Sequence, residues 1–308
     1  MAAFQAPIFN DEEEARAALE AIRWPDGPAC PHCGTVGDKI AKVEGKKQSH
    51  RPGLYYCNNC TGTFTVTVGT VFERSKVPLT KWWLAAHLLN SSKRGVSAHK
   101  IHRTLGVSYK TAWFMMHRLR EAMRELSPTG SLGGEGKTVE IDETYTGGKD
   151  KNRHKNKRQG RGGMDKEIAF ALVERSGKVR SHHVPSVSAI TLRPILKGQI
   201  DAATMVMSDD GGARLGREFA KSATVNHSIG EFVRGDAHTN TIEGYFSILK
   251  RGIDGVYHHV SAQHLKRYLA EFDFRYNTRM SLGVTDGERA ALAMKGIEGK
   301  RLTYRPTH

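Results

Sequence analysis

Apolar positions first follow a helical rhythm and then, from about Lys137, a strand rhythm. Asn10 is placed to cap a helix whose first turn holds Asp11, Glu12, Glu13 and Glu14, acids favoured at the positive end of a helix dipole. Pro78 to Leu89 carries an apolar stripe behind a cap candidate and predicts a second helix. Ser97 caps a third helix through Leu105, Gly106 supplies a tight turn, and Ser108 caps a fourth that runs to about Met123. Ile101, Leu105, Val107, Ala112 and Met115 take the inward positions of a helix-turn-helix, although His102 stands where a small side chain usually lets two helices approach. A plain three-helix packing unit would show the same stripe.

Ser127 to Gly136 is rich in turn residues and marks a linker, after which the period changes. Lys137–Tyr145, Glu167–Val173 and Val179–Val184 read as sequential strands of an antiparallel meander. A helix over Ile190–Ile200 leads to a short buried strand, Thr204–Ser208, ending at Asp209-Asp210. From His238 to Arg251, Ile242, Tyr245, Phe246 and Leu249 recur at helical spacing, and Asn240, Glu243 and Lys250 share the other face.

Length and charge narrow the classes. The chain has 308 residues, enough for about two domains of ~150. Lys+Arg 47 against Asp+Glu 32 leaves a formal charge of +15, which makes nucleic acid the leading partner. No stretch reaches the ~18 apolar residues of a membrane span, and Met1 to Glu14 lacks a signal-peptide pattern, so a cytoplasmic location is expected. The basic run Lys149–Lys166, including Lys155, Lys157 and Arg158, is expected to meet DNA phosphates. In the helix-turn-helix, Tyr109, Lys110, Thr111 and Phe114 would face the groove, with Arg118 and Arg120 nearer the phosphates.

Four cysteines are too few for a disulfide scaffold, and their spacing points to metal. Cys30-Pro-His-Cys33 and Cys57-Asn-Asn-Cys60 are two knuckles separated by 23 residues, the signature of a zinc ribbon. Such a site is structural, because sulfur fills every position and His32 is left as a bystander. Leu54–Tyr56 and Thr63–Val68 read as its strands. Asp142 falls in the middle of a strand, where a carboxylate is costly without a partner. An acid in a first strand, one ending a fourth strand and one on a later helix occur in the order of a ribonuclease H-like nuclease core. Asp142, Asp209 and Glu243 would supply the oxygen ligands that paired divalent ions need. Glu143 would point to the opposite face of its strand as support.

The two knuckles, the run Val139-Glu-Ile-Asp-Glu-Thr-Tyr145 followed by Gly147-Gly148-Lys149, and the segments His238–His259 and Tyr268–Asn277 together carry a family resemblance. The chain resembles the bacterial and archaeal insertion-sequence transposases of the fifteen-ninety-five (ISXO-like) group over nearly its whole length. The resemblance implies a DDE site in which Asp142, Asp209 and Glu243 bind catalytic Mg²⁺ or Mn²⁺ while Lys250 contacts substrate DNA. Asp210 and Asn240 are the alternative second and third groups.

The expected fold is α+β and multidomain. Residues 1–76 would hold an N-terminal helix and the zinc ribbon, 77–126 the helix-turn-helix and 127–136 the linker. A ribonuclease H-like α/β catalytic domain would span 137–285, and a C-terminal helix and tail 286–308. The expected activity is binding of insertion-sequence ends, then metal-dependent strand cleavage and strand transfer, by a homodimer or higher synaptic complex on double-stranded DNA. A zinc-ribbon regulator without catalysis and a ribonuclease H-like nuclease are the rivals.

Overall fold

The computed structural model describes residues 2–44, 50–124, 130–147, 166–209, 219 and 221–303. The chain forms two units. The first comprises residues 1–92, 96–124 and 283 onward, and the second 93–95 and 125–282.

In the first unit, α1 (Glu12–Arg23) begins one residue later than its sequence suggests. Asp11, not Asn10, is the cap: its carboxylate accepts the Glu13 and Glu14 amides at 2.7 and 3.3 Å. Asn10 instead donates its side-chain amide back to the Phe4 and Ala6 carbonyls. β1 (Ile40–Lys42), β2 (Tyr55–Cys57) and β3 (Thr63–Phe64) form a small antiparallel sheet. The run after Phe64, expected as strand, closes into a turn through a Val68 amide to Thr65 carbonyl bond of 3.0 Å. Trp24, Tyr55 and Phe64 pack beneath this sheet with ring centroids 5.3 to 5.8 Å apart.

α2 (Leu79–Asn90) starts at Pro78, which offers no side-chain cap. Glu12 of α1 fills that role, accepting the Leu79 and Thr80 amides at 2.8 and 3.2 Å. α3 (Ala98–Leu105) and α4 (Tyr109–Met123) carry the Ser97 and Ser108 caps, with Gly106 between them at φ +60°. Ile101, Leu105, Ala112 and Met115 are buried, while Val107 is half-buried and its carbonyl contacts His102 Nδ1. His102 therefore ties its helix to the turn that follows.

The second unit is built on a five-stranded sheet. β4 (Thr138–Thr146), β5 (Glu167–Glu174) and β6 (Val179–Val184) form the expected antiparallel meander. After α5 (Ala189–Gln199), β7 (Met205–Asp209) pairs parallel with β4, and β8 (Lys221–Val225) parallel with β7. The order is β6-β5-β4-β7-β8, which places β4 at the centre. The hairpin β9 (Val233–Arg234) and β10 (Ala237–His238) leads into α6 (Asn240–Gly252), and α7 (Ala262–Asn277) follows.

Alternation along β4 and β5 sorts side chains between two cores. Val139, Ile141, Phe170 and Leu172 face α5 and bury Leu192 and Leu196. On the opposite face Ala169, Ala171 and Val173 keep the surface low, so α6 settles close with Ile242, Tyr245, Phe246 and Leu249. α7 covers the free edge of β6 through side chains: Asn277 exchanges bonds of 2.7 and 2.9 Å with Val179, and Asp273 accepts the Ser181 amide at 2.8 Å. Part of the expected linker belongs to this unit. Leu132 is buried in the α5 core, and its amide and carbonyl bond Gln199 and Asp201.

The first unit is completed by α8 (Asp286–Lys295), whose start is a capping box between Thr285 and Glu288. Its Arg289 donates to the Asn90 carbonyl at 2.8 Å, and Lys300 beyond it donates to the Ala122 carbonyl at 2.9 Å.

Candidate functional site

Two knuckles hold the cysteines as their spacing suggests. Cys30, Cys33, Cys57 and Cys60 bring all four Sγ atoms within 4.8 Å of one another, and His32 is no part of the group. Cys30 to Cys60 and Cys33 to Cys57 are each 3.7 Å. A tetrahedron with Zn–S bonds of about 2.3 Å has edges of about 3.8 Å, so the sulfurs fit zinc. The Thr35 hydroxyl at 3.2 Å and the Thr35 backbone pull the Cys33 thiol down to about 6, towards the thiolate a metal requires.

The acidic group is assembled by topology. Asp142 lies on β4 opposite Ala171, hence on the face that α6 covers. The parallel register Glu140–Met207 and Ile141–Ser208, taken one step further, sets Asp209 beside Asp142 on the neighbouring strand. Glu243, on the first turn of α6, approaches from above. Burial first, then the negative charge of Asp209, pushes the Asp142 carboxyl up to about 7, with Glu143 and Glu243 adding smaller repulsions. Glu143 is also raised, by burial and by Asp209, although alternation turns it to the α5 face. Repulsion of this kind is what a divalent cation relieves, so the donor set suits a hard cation.

Glu243 is held. Its Oε1 accepts the Thr239 hydroxyl at 3.0 Å and lies 3.7 Å from His227 Nε2. Among the described residues, the cysteines alone form a group close enough to share an ion without rearrangement.

Comparison with known proteins shows the same two-part organisation. The profile of the ISXO2-like transposase domain matches residues 131–277, and that of the transposase zinc-ribbon domain matches residues 10–63. A Halobacterium salinarum protein, described as an uncharacterized protein in transposable element ISH50, is 33% identical over 294 residues, covering 87% of this chain and 92% of that one. This chain belongs to the ISXO2-like transposases.

Within this transposase, the other expected residues fall in varied surroundings. Tyr109 and Lys110 are exposed at the start of α4, where Tyr109 stacks on His99 at 4.3 Å, and Thr111 is half-buried beside its Ser108 cap. Arg118 is half-buried, 4.7 Å above the Phe114 ring, and donates to the Glu73 carbonyl. Arg120 is only 2% exposed, which corrects its expected place towards phosphates: the inward face of α4 is wider than the stripe suggested. Asn240 and Lys250 are exposed on the same helix as Glu243. Lys155, Lys157, Arg158 and the alternative acid Asp210 lie outside the described residues.

Three residues around the acidic group carry no mark of their own in the sequence reading. Glu140, two positions before Asp142 on the same face, is fully buried and bonded to the start of α6. Strand alternation was the available signal, since it placed Glu140 on an inward face. Thr239 and His227 had no sequence signal, because the turn before α6 and a separate loop bring them to Glu243.

Proposed function

We propose that this transposase binds the ends of its element, cleaves DNA there and joins the freed 3′-hydroxyls to target DNA. The observation that carries the reading is the convergence of Asp142, Asp209 and Glu243, from two strands and a helix, on one side of the central strand. The sheet order and the parallel return of β7 support a ribonuclease H-like core. The capped pair α3 and α4 supports a helix-turn-helix, with Tyr109, Lys110 and Thr111 towards the DNA groove. No described helix is long and apolar enough to cross a membrane. We assign the protein to the cytoplasm, on DNA, as a homodimer or larger assembly that brings two element ends together.

Asp142, Asp209 and Glu243 would hold Mg²⁺ or Mn²⁺, which supplies an acidified attacking water or hydroxyl and charge relief at the leaving oxygen. Thr239 and His227 orient the Glu243 carboxylate. Lys250, two turns along α6, presents its ammonium to a phosphate of the bound strand. The net charge of +15 draws the duplex to the protein.

The test is incubation of zinc-loaded protein with Mg²⁺ or Mn²⁺, labelled element-end DNA and a target plasmid. Asp142→Ala, Asp209→Ala and Glu243→Ala are run beside the wild type. Joined product from the wild type alone supports the reading. Binding without cleavage under either metal would make the protein a regulator, and cleavage without joining a nuclease.

A further inference from the structure

Glu140 is a carboxylate with no access to solvent, on the central strand of the sheet. Its Oε1 accepts from Arg175 Nε at 2.7 Å and from the Thr241 hydroxyl at 2.9 Å, and it lies 3.3 Å from His238 Nδ1. Its Oε2 accepts the Ile242 backbone amide at 2.9 Å. Arg175 in turn donates to the Asp236 and His238 carbonyls at 3.0 and 2.9 Å, so the same ion pair also fixes the turn that enters α6. One side chain thereby joins β4, the end of β5 and the first turn of α6.

A buried ion pair is weak evidence of stability, because desolvation consumes most of what the pairing returns. Hydrophobic contacts of Ile242, Tyr245, Phe246 and Leu249 already seat α6 on the sheet. They fix the helix against the sheet but leave its first turn free to fray, since the first amides of a helix have no partner within it. Glu140 removes that freedom at Ile242, the residue before Glu243. Along β4 it stands two residues from Asp142, on the same face.

We infer that Glu140, braced by Arg175, is the positioning residue of the acidic site, fixing the first turn of α6, and with it Glu243, relative to Asp142 on β4. The inference rests on the metal-binding reading of those acids. Outer partners of metal ligands typically change affinity by roughly tenfold to hundredfold when removed. Glu140 is expected to act on metal affinity in that range, and Thr241, which contributes one bond, by a smaller factor.

The experiment uses the full zinc-loaded chain and Mn²⁺ alone as probe, reading the metal-induced rise in melting temperature. Wild type, Asp142→Asn, Thr241→Val and Glu140→Gln are compared, with element-end DNA binding of the zinc-loaded chain without added Mg²⁺ or Mn²⁺ as a control for folding. The expected result is a half-saturating Mn²⁺ concentration raised roughly tenfold or more in Glu140→Gln and several-fold in Thr241→Val, with DNA binding of the zinc-loaded chain in the absence of Mn²⁺ unchanged. Cleavage by Glu140→Gln and Thr241→Val should regain the wild-type maximal rate at high metal.

Half-saturation within twofold of wild type in both Glu140→Gln and Thr241→Val would overturn the inference, whatever happens to the melting temperature without Mn²⁺. If Glu140→Gln fails to fold, Thr241→Val decides alone, because it removes a bond without stranding a charge. A wild type whose Mn²⁺ response equals that of Asp142→Asn would instead overturn the metal-binding reading, and this inference with it.

Discussion

The cysteine cluster and the acidic cluster reach their geometry by opposite routes. The four cysteines come from two knuckles in the first 60 residues, and their sulfurs already stand at zinc-binding separations. The acids come from positions 142, 209 and 243, and their charges oppose one another. A structural metal site can close at once because it has no turnover to serve. On the proposed reading the acidic site admits a phosphodiester and has to stay open, so its repulsion would be relieved only when cations bind.

The sharpest way to break this contrast is at Asp142. Asp142→Asn is expected to lower cleavage and joining on the order of a thousandfold while leaving the metal-free melting temperature equal or higher, since it removes a repelled charge. A large fall in that temperature would mean the acid is structural, as the cysteines are. For the ribbon the expectation reverses. Cys57→Ser should release zinc, unfold the small sheet and abolish element-end binding, yet leave the Asp142-dependent Mn²⁺ response intact. Zinc release by colorimetric chelation and a Mn²⁺ melting series read the two halves separately.

pH sharpens the contrast further. With Asp142 at about 7 in the fold and near 3.8 when unfolded, the native chain keeps a proton that the unfolded chain gives up between those values. Stability of the metal-free protein should therefore fall as pH rises from about 4 to 7 and level off above. Melting scans at fixed ionic strength should show this slope shrink in Asp142→Asn, and shrink in the wild type with saturating Mg²⁺. The smallest effect concerns the first helix: Asp11→Ala should cost about 1 kcal/mol in denaturant unfolding, and Asn10→Ala less than about 0.5 kcal/mol.

Legibility followed the same divide. CxxC spacing, the Ser97 and Ser108 caps and the meander are local patterns, and each stands where the residues implied. Asn10 was mistaken for the cap because adjacent Asn and Asp are equally suited, and only the backbone at Asp11 settles which side chain turns inward. Thr63–Val68 has strand composition, but only Thr63–Phe64 has a partner to pair with. Glu12 capping α2, Glu140 gripping α6 and His227 beside Glu243 are contacts across 67, 102 and 16 residues of sequence, respectively. No window on the chain displays them. Buried acids look in sequence like exposed ones until a partner is known.

The way α8 completes the first unit bears on how the protein is made. Synthesis delivers the ribbon and α1 to α4 first, but Asn90 and Ala122 must wait for Arg289 and Lys300, which follow the entire acidic unit. A message interrupted within that unit yields a ribbon and helices without the helix that buries Ala290, Ala293 and Met294. Truncated products are thus poor candidates for long-lived species, and only chains translated through α8 carry a finished first unit.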